Sequence, residues 1–431
     1  MIHNSKALPH EQLEIFFDEF FRLIVNADPS QHGAFLTRAE QEFRRAGYRD
    51  ENSAGVQNIL VVRLDAIGDM IVTSGFLREL RKNFPRARIT LLVSPFVLPI
   101  VELCPYVNEV LSFDFKLLNG TLPEWLKHIA DFCREHLWQK MFSLAFSPRW
   151  GKGNLHALLM TWMSGARERI GYGTNPYESW LGEPSAEETA QDNFLLTKSV
   201  GTPRKVVSEA GKHFYLLEAL GLPVKEKHME LFFGTQDFIR ARELLQTIPP
   251  NCKKVLLGIG GSARMKKYPV EKYLVALKEL AKKNLVFVIV GGQSELDDAD
   301  FLEMNLPHGK VLNLVGKTTL RETQAIAVQT DFYVGNDTSA VHMAATAKIP
   351  CLVLYREAED RENYSPAVFS EFQCFPPWQT NSIILRPAHP LDDCAEMPPL
   401  CGVCRHIEEP HCITQITPQE IIDGFEALEK L

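Results

Sequence analysis

The chain alternates short apolar runs with stretches of helical periodicity, and it goes through this alternation twice. Early runs at residues 59–62 and 89–93 are each followed by a segment whose apolar residues recur at helical spacing. The alternation begins again after Pro249 and Pro250, with an apolar run at residues 255–259. Such a pattern predicts βαβ units, in which helices cover parallel sheets. We therefore expect an α/β protein with two doubly wound domains that face a cleft.

The individual runs also predict where the elements lie. In the first domain, we expect helices over residues 70–83, 122–136 and 155–163. The strands expected in the two domains are residues 59–62, 89–93, 110–113, 142–146, 255–259, 285–290, 311–314, 332–334 and 351–354.

These patterns divide the chain into four segments: a helical extension over residues 1–55, a first domain over 56–240, a second domain over 250–388, and a Cys-rich segment with a final helix over 389–431. The extension has a Phe-rich helical face, which must be buried somewhere. We expect it to dock on the main body, and burial between copies in a homo-oligomer is the alternative. The two domains are expected to join within residues 235–251.

Composition limits the partners and surroundings expected for the chain. Its 431 residues include 46 basic and 54 acidic side chains, and the net charge of −8 argues against a nucleic-acid partner. Apolar residues make up 45%, which is enough for packed cores. The most apolar window, residues 89–103, is too short to span a membrane and contains Pro95 and Pro99. We expect a soluble cytoplasmic protein.

A single aspartate follows the first predicted strand. Residues 63–69 read RLDAIGD and lack the Gly-x-Gly-x-x-Gly fingerprint of dinucleotide-binding domains. Asp69 stands at the start of the next predicted helix, where two roles are open. It is either a cap of the helix N-terminus or a general base at the cleft. The residues alone favour neither role.

A Gly-rich turn opens the second domain. Gly261 and Ser262 offer close backbone approach and a hydroxyl, and Lys266 follows with a positive charge. These groups suit a diphosphate, whereas the alternative is a plain tight turn with solvated lysines. The spacing excludes a Walker A motif.

A polar stretch follows the strand predicted at residues 332–334. A helix is expected to begin near Thr338, and free amides at a helix N-terminus favour an anion. The alternative is that Asp337 and Thr338 only cap this helix and that His342 is a packed side chain.

Two cations follow the strand predicted at residues 142–146. Arg149 and Lys152 come just after the strand end, where ligands of doubly wound sheets bind. We predict that they contact the acceptor substrate.

Four cysteines lie close together near the C-terminus. Cys394, Cys401, Cys404 and Cys412 have the spacing C-x6-C-x2-C-x7-C, which matches a closed four-thiolate site for zinc or iron. Free or redox-active thiols are the alternative. A site saturated by four thiolates has no open position for a substrate, so this metal would be structural.

Four segments of the sequence resemble, in the right order, the motifs of glycosyltransferase family 9, the ADP-heptose:lipopolysaccharide heptosyltransferases. The first is residues 63–80, RLDAIGDMIVTSGFLREL, and the second is residues 260–269, GGSARMKKYP. The third is residues 291–295, GGQSE, and the fourth is residues 335–345, GNDTSAVHMAA. One departure is that Ser339-Ala340 stands where the family has Gly-Pro.

The resemblance implies a GT-B fold of two Rossmann-like domains, with the acceptor on the first and the nucleotide-sugar donor on the second. It implies inverting transfer of a heptose from ADP-heptose, without a catalytic metal. Asp69 matches the catalytic aspartate of the family, and Lys266 matches its diphosphate-binding lysine. The other residues that match donor-binding positions are Gly261, Ser262, Glu295, Asp337, Thr338, Ser339 and His342.

The expected acceptor is a saccharide, the lipopolysaccharide core, which implies transient contact with the inner-membrane surface. The Cys-rich segment resembles autotransporter heptosyltransferases, so a protein acceptor is an alternative. Two further alternatives are a catalytically silent nucleotide-sugar-binding scaffold and another GT-B enzyme.

Overall fold

The computed structural model describes residues 57–117, 120–150, 155–173, 195–201, 208–359, 371–391 and 409–431. The predicted helical extension and Lys152 lie outside these residues, and so do Cys394, Cys401 and Cys404. In the described part of the chain, no helix is both long and apolar enough to cross a bilayer.

The first domain is built on a parallel sheet. Its elements are β1 (Asn58–Arg63), α1 (Ile67–Asn83), β2 (Arg88–Val93), α2 (Leu98–Val101), β3 (Glu109–Ser112), α3 (Leu122–His136), β4 (Leu144–Ser147), α4 (Leu155–Met163), β5 (Glu168–Tyr172), β6 (Lys198–Val200) and α5 (Glu209–Ala219). The strands lie in the order β3-β2-β1-β4-β5-β6. The order reverses between β1 and β4, and ligands of such sheets bind at this point.

The second domain repeats this order. Its elements are α6 (Thr235–Leu245), β7 (Lys253–Gly258), α7 (Val270–Leu280), β8 (Leu285–Ile289), α8 (Leu296–Asn305), β9 (Val311–Asn313), α9 (Leu320–Ala327), β10 (Phe332–Asn336), α10 (Ser339–Thr346), β11 (Cys351–Leu354), α11 (Glu371–Cys374), β12 (Ser382–Leu385) and α12 (Pro418–Leu428). The sheet order is β12-β11-β10-β7-β8-β9, so the reversal falls between β7 and β10.

The prediction of two doubly wound parallel sheets is confirmed, but three strands were not predicted: β5, β6 and β12. In β5 a charged residue, Arg169, is fully buried and donates to the carbonyls of Leu195 and Ala166. A charge within a buried strand breaks the apolar pattern from which strands are predicted. Strand β6 has only three residues, too few for a pattern.

The chain passes from the first domain to the second through an irregular segment, residues 222–234. The predicted junction, residues 235–251, instead contains α6, which packs on α9. Arg78 of α1 holds the connecting segment. It is buried, and its guanidinium donates to the carbonyls of His228 and Glu226 at 2.9 and 2.8 Å.

The two domains meet where the N-terminal part of α1 packs on α10. At the closest point Gly68 faces the ring of His342, and a Cβ at position 68 would lie 2.8 Å from the Cδ2 of that ring. Real Cβ atoms do not come this close to another heavy atom. The absence of a side chain at Gly68 therefore permits the domain contact, and it places Asp69 beside the second domain.

Candidate functional site

A cleft of about 640 Å³ lies between the carboxyl ends of the two sheets. The first domain lines it with residues 66–69 and with Phe96. The second domain lines it with the Gly-rich turn at residues 260–262, with residues 290–295 and with the start of α10. The two points at which the strand order reverses thus face each other across one space.

Asp69 is the third residue of α1 and lines the cleft. Its Oδ2 accepts a hydrogen bond from the backbone N–H of Ala66 at 3.1 Å, as a helix cap does. Its side chain nevertheless keeps 24% of its surface exposed. The two roles left open by the sequence are therefore compatible, because one carboxylate caps the helix and also faces the cleft.

A buried guanidinium holds the other oxygen of this carboxylate. Arg63, the last residue of β1, is 1% exposed, and its Nη2 lies 3.2 Å from Asp69 Oδ1. The same Nη2 lies 2.8 Å from Glu209 Oε1, and Nε lies 3.0 Å from Asp65 Oδ2. Three carboxylates from three segments therefore share one cation. Neither Arg63 nor Glu209 was predicted as a site residue.

These surroundings raise the pKa of Asp69 to about 6. Burial is the largest cause, Arg63 opposes it, and the neighbouring carboxylates of Asp65 and Glu209 add to it. A carboxyl with a pKa near neutrality is ionised at physiological pH and is also a stronger base than an ordinary aspartate. Asp69 is therefore a stronger base than an ordinary aspartate, and it lies at the cleft.

Arg149 was predicted to contact the acceptor. It lies at the carboxyl end of β4 and forms an ion pair with Asp65. The described lining of the cleft does not include it, so Arg149 contributes to the charges around Asp69 through Asp65. A role in acceptor binding stays a prediction.

In the second domain, Asn336 fixes the Gly-rich turn. This fully buried residue ends β10, and its amide donates to the carbonyls of Ile259 and Gly260 at 2.8 and 2.9 Å. Its amide oxygen accepts from Tyr273 Oη at 2.7 Å. Asn336 was not predicted as a site residue, although a polar side chain near the end of a buried strand was a usable signal.

Two lysines beside this turn form ion pairs within the cleft. Lys266 Nζ lies 3.1 Å from Asp337 Oδ2, and Lys267 Nζ lies 2.9 Å from Glu295 Oε1. Ser294 also donates a hydrogen bond to Glu295. Burial alone would raise the pKa of Glu295, but Ser294 and Lys267 outweigh it, and the pKa is lowered. The structure thus brings together the three predicted donor-binding segments, residues 260–269, 291–295 and 335–345.

Helix α10 begins at the cleft, and its N-terminus is capped by a side chain of the same segment. The hydroxyl of Thr338 accepts from the N–H of Ala340 at 3.2 Å, and Ser339 is the first helical residue. His342 is buried against Gly68, and burial lowers the pKa of its imidazole. Its Nδ1 has no hydrogen-bond partner within the described residues. The ring is therefore neutral, with one polar atom unsatisfied.

Further cleft residues were not predicted. They follow β8 or β9, lie on α9 or come from surrounding loops: Phe96, Gln293, Thr318, Thr323 and Phe375. The hydroxyls of Thr318 and Thr323 lie 3.0 Å apart.

Of the predicted metal ligands, the structure describes Cys412. It is half-buried, and its Sγ lies 3.5 Å from His411 Nδ1. Across the described ranges, no group of three or more His, Cys, Asp or Glu residues is placed to hold a metal ion. The four-thiolate site stays a prediction, since its other cysteines lie outside those ranges.

Residues 153–388 match the model of glycosyltransferase family 9 (heptosyltransferase). The chain belongs to this family. The match spans the second half of the first domain and the whole second sheet, including the wall of the cleft that the second domain forms. The prediction of a glycosyltransferase enzyme is thereby confirmed.

This glycosyltransferase has distant curated and structural relatives. It is 19% identical to the lipopolysaccharide core heptosyltransferase OpsX of Haemophilus influenzae, over 69% of this chain and 79% of the relative. A family 9 glycosyltransferase from Veillonella parvula superposes with a TM-score of 0.65 at 18% identity, over 86% of this chain and 97% of that one. For E. coli ADP-heptose lps heptosyltransferase II the TM-score is 0.61 at 16% identity, over 87% and 100%. These structures support the GT-B-like arrangement of the fold.

The charges around Asp69 make its titration a direct test of the site. We expect the Asp69 carboxyl of this glycosyltransferase to titrate near pH 6, and Arg149→Gln to raise that value, because Arg149 favours the ionised form. ¹³C NMR of aspartate-labelled protein, assigned with Asp69→Asn, measures the titration. The control is Arg240→Gln, which removes an exposed cation paired with Glu243. An unshifted titration in Arg149→Gln would contradict the assignment of charges.

Proposed function

We propose that this glycosyltransferase transfers a heptose, with inversion, from ADP-heptose to a hydroxyl of a saccharide acceptor. The observation that carries the proposal is the arrangement of the cleft. A carboxylate with a raised pKa lies on one wall, and Lys266 lies on the other wall beside the capped start of α10. The carboxylate can accept the proton of an acceptor hydroxyl, and Lys266 can stabilise the negative charge of a departing diphosphate.

The reaction balances as a direct displacement. The acceptor oxygen attacks the anomeric carbon of the donor and forms the new glycosidic bond. The bond between that carbon and the phosphate oxygen breaks, and its electron pair leaves with ADP. Asp69 takes the proton of the acceptor hydroxyl, and its ionised form is held ready by Arg63 Nη2.

The second domain would stabilise the charge that develops on ADP. Lys266 pairs with Asp337 in this structure, so a diphosphate must share or replace that partner. Glu295 keeps its carboxylate at the cleft and offers an acceptor for ribose hydroxyls. Ser262 and the backbone of the Gly-rich turn add donors for phosphate oxygens.

For the acceptor, we propose the lipopolysaccharide core. The support is the similarity to a relative named for this activity, together with the heptosyltransferase family match. Assays with ADP-heptose and either core oligosaccharide or acceptor protein, read out as ADP release, test the choice. Transfer to protein alone would overturn the saccharide acceptor while leaving the donor assignment intact.

Removal of the proposed base gives the first activity prediction. Asp69→Asn should lower turnover by about 10²- to 10⁴-fold, which is the usual loss when a general base is removed. The affinity for ADP should barely change, because Asp69 lies on the opposite wall from the proposed phosphate site. Steady-state kinetics and calorimetry measure the two quantities. Near-normal turnover would reduce Asp69 to a helix cap.

Removal of the proposed phosphate-binding lysine gives a prediction for ligand affinity. Lys266→Ala should weaken ADP binding by about 1.5–3 kcal/mol, the range for a hydrogen bond to a charged group, and it should weaken AMP binding less. Calorimetry on the purified variant measures both ligands. Lys278→Ala, which removes an exposed lysine of α7, is the matched control. Equal ADP affinity in wild type and Lys266→Ala would exclude Lys266 from the site.

We also propose that Cys394, Cys401, Cys404 and Cys412 hold one structural zinc or iron ion that fixes the C-terminal segment. The support is the cysteine spacing and the softness of thiolate ligands. Elemental analysis should find about one metal ion per chain, and Cys401→Ser with Cys404→Ser should lose it. Metal-free protein of unchanged thermal stability would refute this site.

A further inference from the structure

Helix α5 carries two ionisable side chains that are buried next to the proposed base. Glu209 and His213 lie one helical turn apart, and their side chains are 4% and 0% exposed. Burying such groups is costly unless they are paired. The start of α5 does not require them, because Ser208 already caps the helix by accepting from the N–H of Gly211. Their burial therefore calls for another explanation.

The ring of His213 has two polar neighbours. Nδ1 lies 3.0 Å from the carbonyl oxygen of Val72, which can only accept a hydrogen bond. Nε2 lies 3.3 Å from Glu209 Oε1. Burial would raise the pKa of Glu209, but Arg63 and His213 outweigh it and lower the pKa to about 2, so this oxygen also only accepts. The buried ring therefore lies between a carbonyl of α1 and the carboxylate of Glu209.

Three carboxylates compete for two guanidinium groups in this cluster. The carboxylates of Asp65, Asp69 and Glu209 face the cations of Arg63 and Arg149, and the ring of His213 lies against Glu209. Among the described residues, the charged groups that act on Asp69 are Arg63, Asp65, Glu209 and Arg149, and His156 on α4 lies near the last pair, Asp65 and Arg149. The titratable residues that line the cleft on the opposite wall are Lys266, Glu295, Asp337 and His342.

The key atom is Arg63 Nη2, which is shared between Glu209 Oε1 at 2.8 Å and Asp69 Oδ1 at 3.2 Å. The shorter contact goes to Glu209, so Asp69 receives only part of the guanidinium's charge. His213 in turn competes with Arg63 for the same oxygen of Glu209. A change at any member of this chain therefore alters how strongly Arg63 holds Asp69.

We infer that Glu209 and His213 are positioning residues that set the basicity and orientation of Asp69 through Arg63. This inference rests on the proposed role of Asp69 as the base. The buried dyad keeps Arg63 from pairing fully with Asp69, and the carboxylate stays ionised yet basic enough to accept the acceptor proton. No contact between the dyad and a substrate is required.

The two residues should act in opposite directions on the pH dependence. Glu209→Gln removes a nearby negative charge and frees Arg63 for Asp69, so the acid limb of kcat/KM should move to lower pH by roughly half to one unit. The maximal kcat should fall about tenfold, because a weaker base accepts the proton less readily. His213→Asn removes the side chain that competes with Arg63 for Glu209 Oε1 and strengthens the pull of Glu209 on Arg63, so the acid limb should move to higher pH.

The control separates this effect from a loss of stability. Glu79→Gln alters another buried carboxylate paired with an arginine, Arg78, on the same helix as Asp69 but ten residues away. It should lower the thermal midpoint without moving the acid limb. KM for ADP-heptose should stay within about twofold in all three variants, because the altered groups lie outside the described cleft lining.

The outcomes distinguish the inference from the function on which it rests. If Asp69→Asn abolishes turnover while Glu209→Gln and His213→Asn leave the acid limb at the wild-type pH, the dyad is structural and the inference is wrong. If Asp69→Asn keeps wild-type turnover, the proposed base is wrong and the inference falls with it. If Glu209→Gln does not fold, His213→Asn decides alone: an upward shift supports the inference, and no shift overturns it.

Discussion

The first domain depends on the burial of one guanidinium, that of Arg63. It lies at the carboxyl end of β1 with 1% of its surface exposed, and an unpaired charge there would be strongly destabilising. Its partners come from the loop after β1, from α1 and from α5, so satisfying the charge ties these elements together. The same constraint fixes the position of Asp69. Stability and the proposed catalysis thus use one set of contacts.

In the second domain, the residue that ties the segments at the strand ends together is neutral. Asn336 ends β10, and its side-chain amide fixes the turn after the neighbouring strand β7, where the sheet order reverses. The lysines of this wall, Lys266 and Lys267, pair instead with the carboxylates of Asp337 and Glu295, which line the cleft. One wall therefore neutralises a buried cation with three carboxylates, while the other holds two ion pairs beside the cleft.

The contact between α1 and α10 sets how these walls face each other. Gly68 permits the ring of His342 to approach, and Asp69 follows directly in the chain. The proposed base is thus carried by the same helix turn that forms the domain contact. A shift of α10 relative to α1 would therefore change the surroundings of Asp69.

The sequence by itself determined the fold class, the start of the second domain's alternation and the strand-end motifs that line the cleft. Regular periodicity and glycine-rich turns are local, so a linear pattern contains them. Only the tertiary structure decided the partners of Arg63 and Asn336. Glu209 lies 146 residues from Arg63, and Gly260 lies 76 residues from Asn336. In a parallel sheet, neighbouring strand ends meet regardless of their distance along the chain. A charged residue in a sequence is expected at the surface, and only the folded structure shows the partners that allow it to be buried.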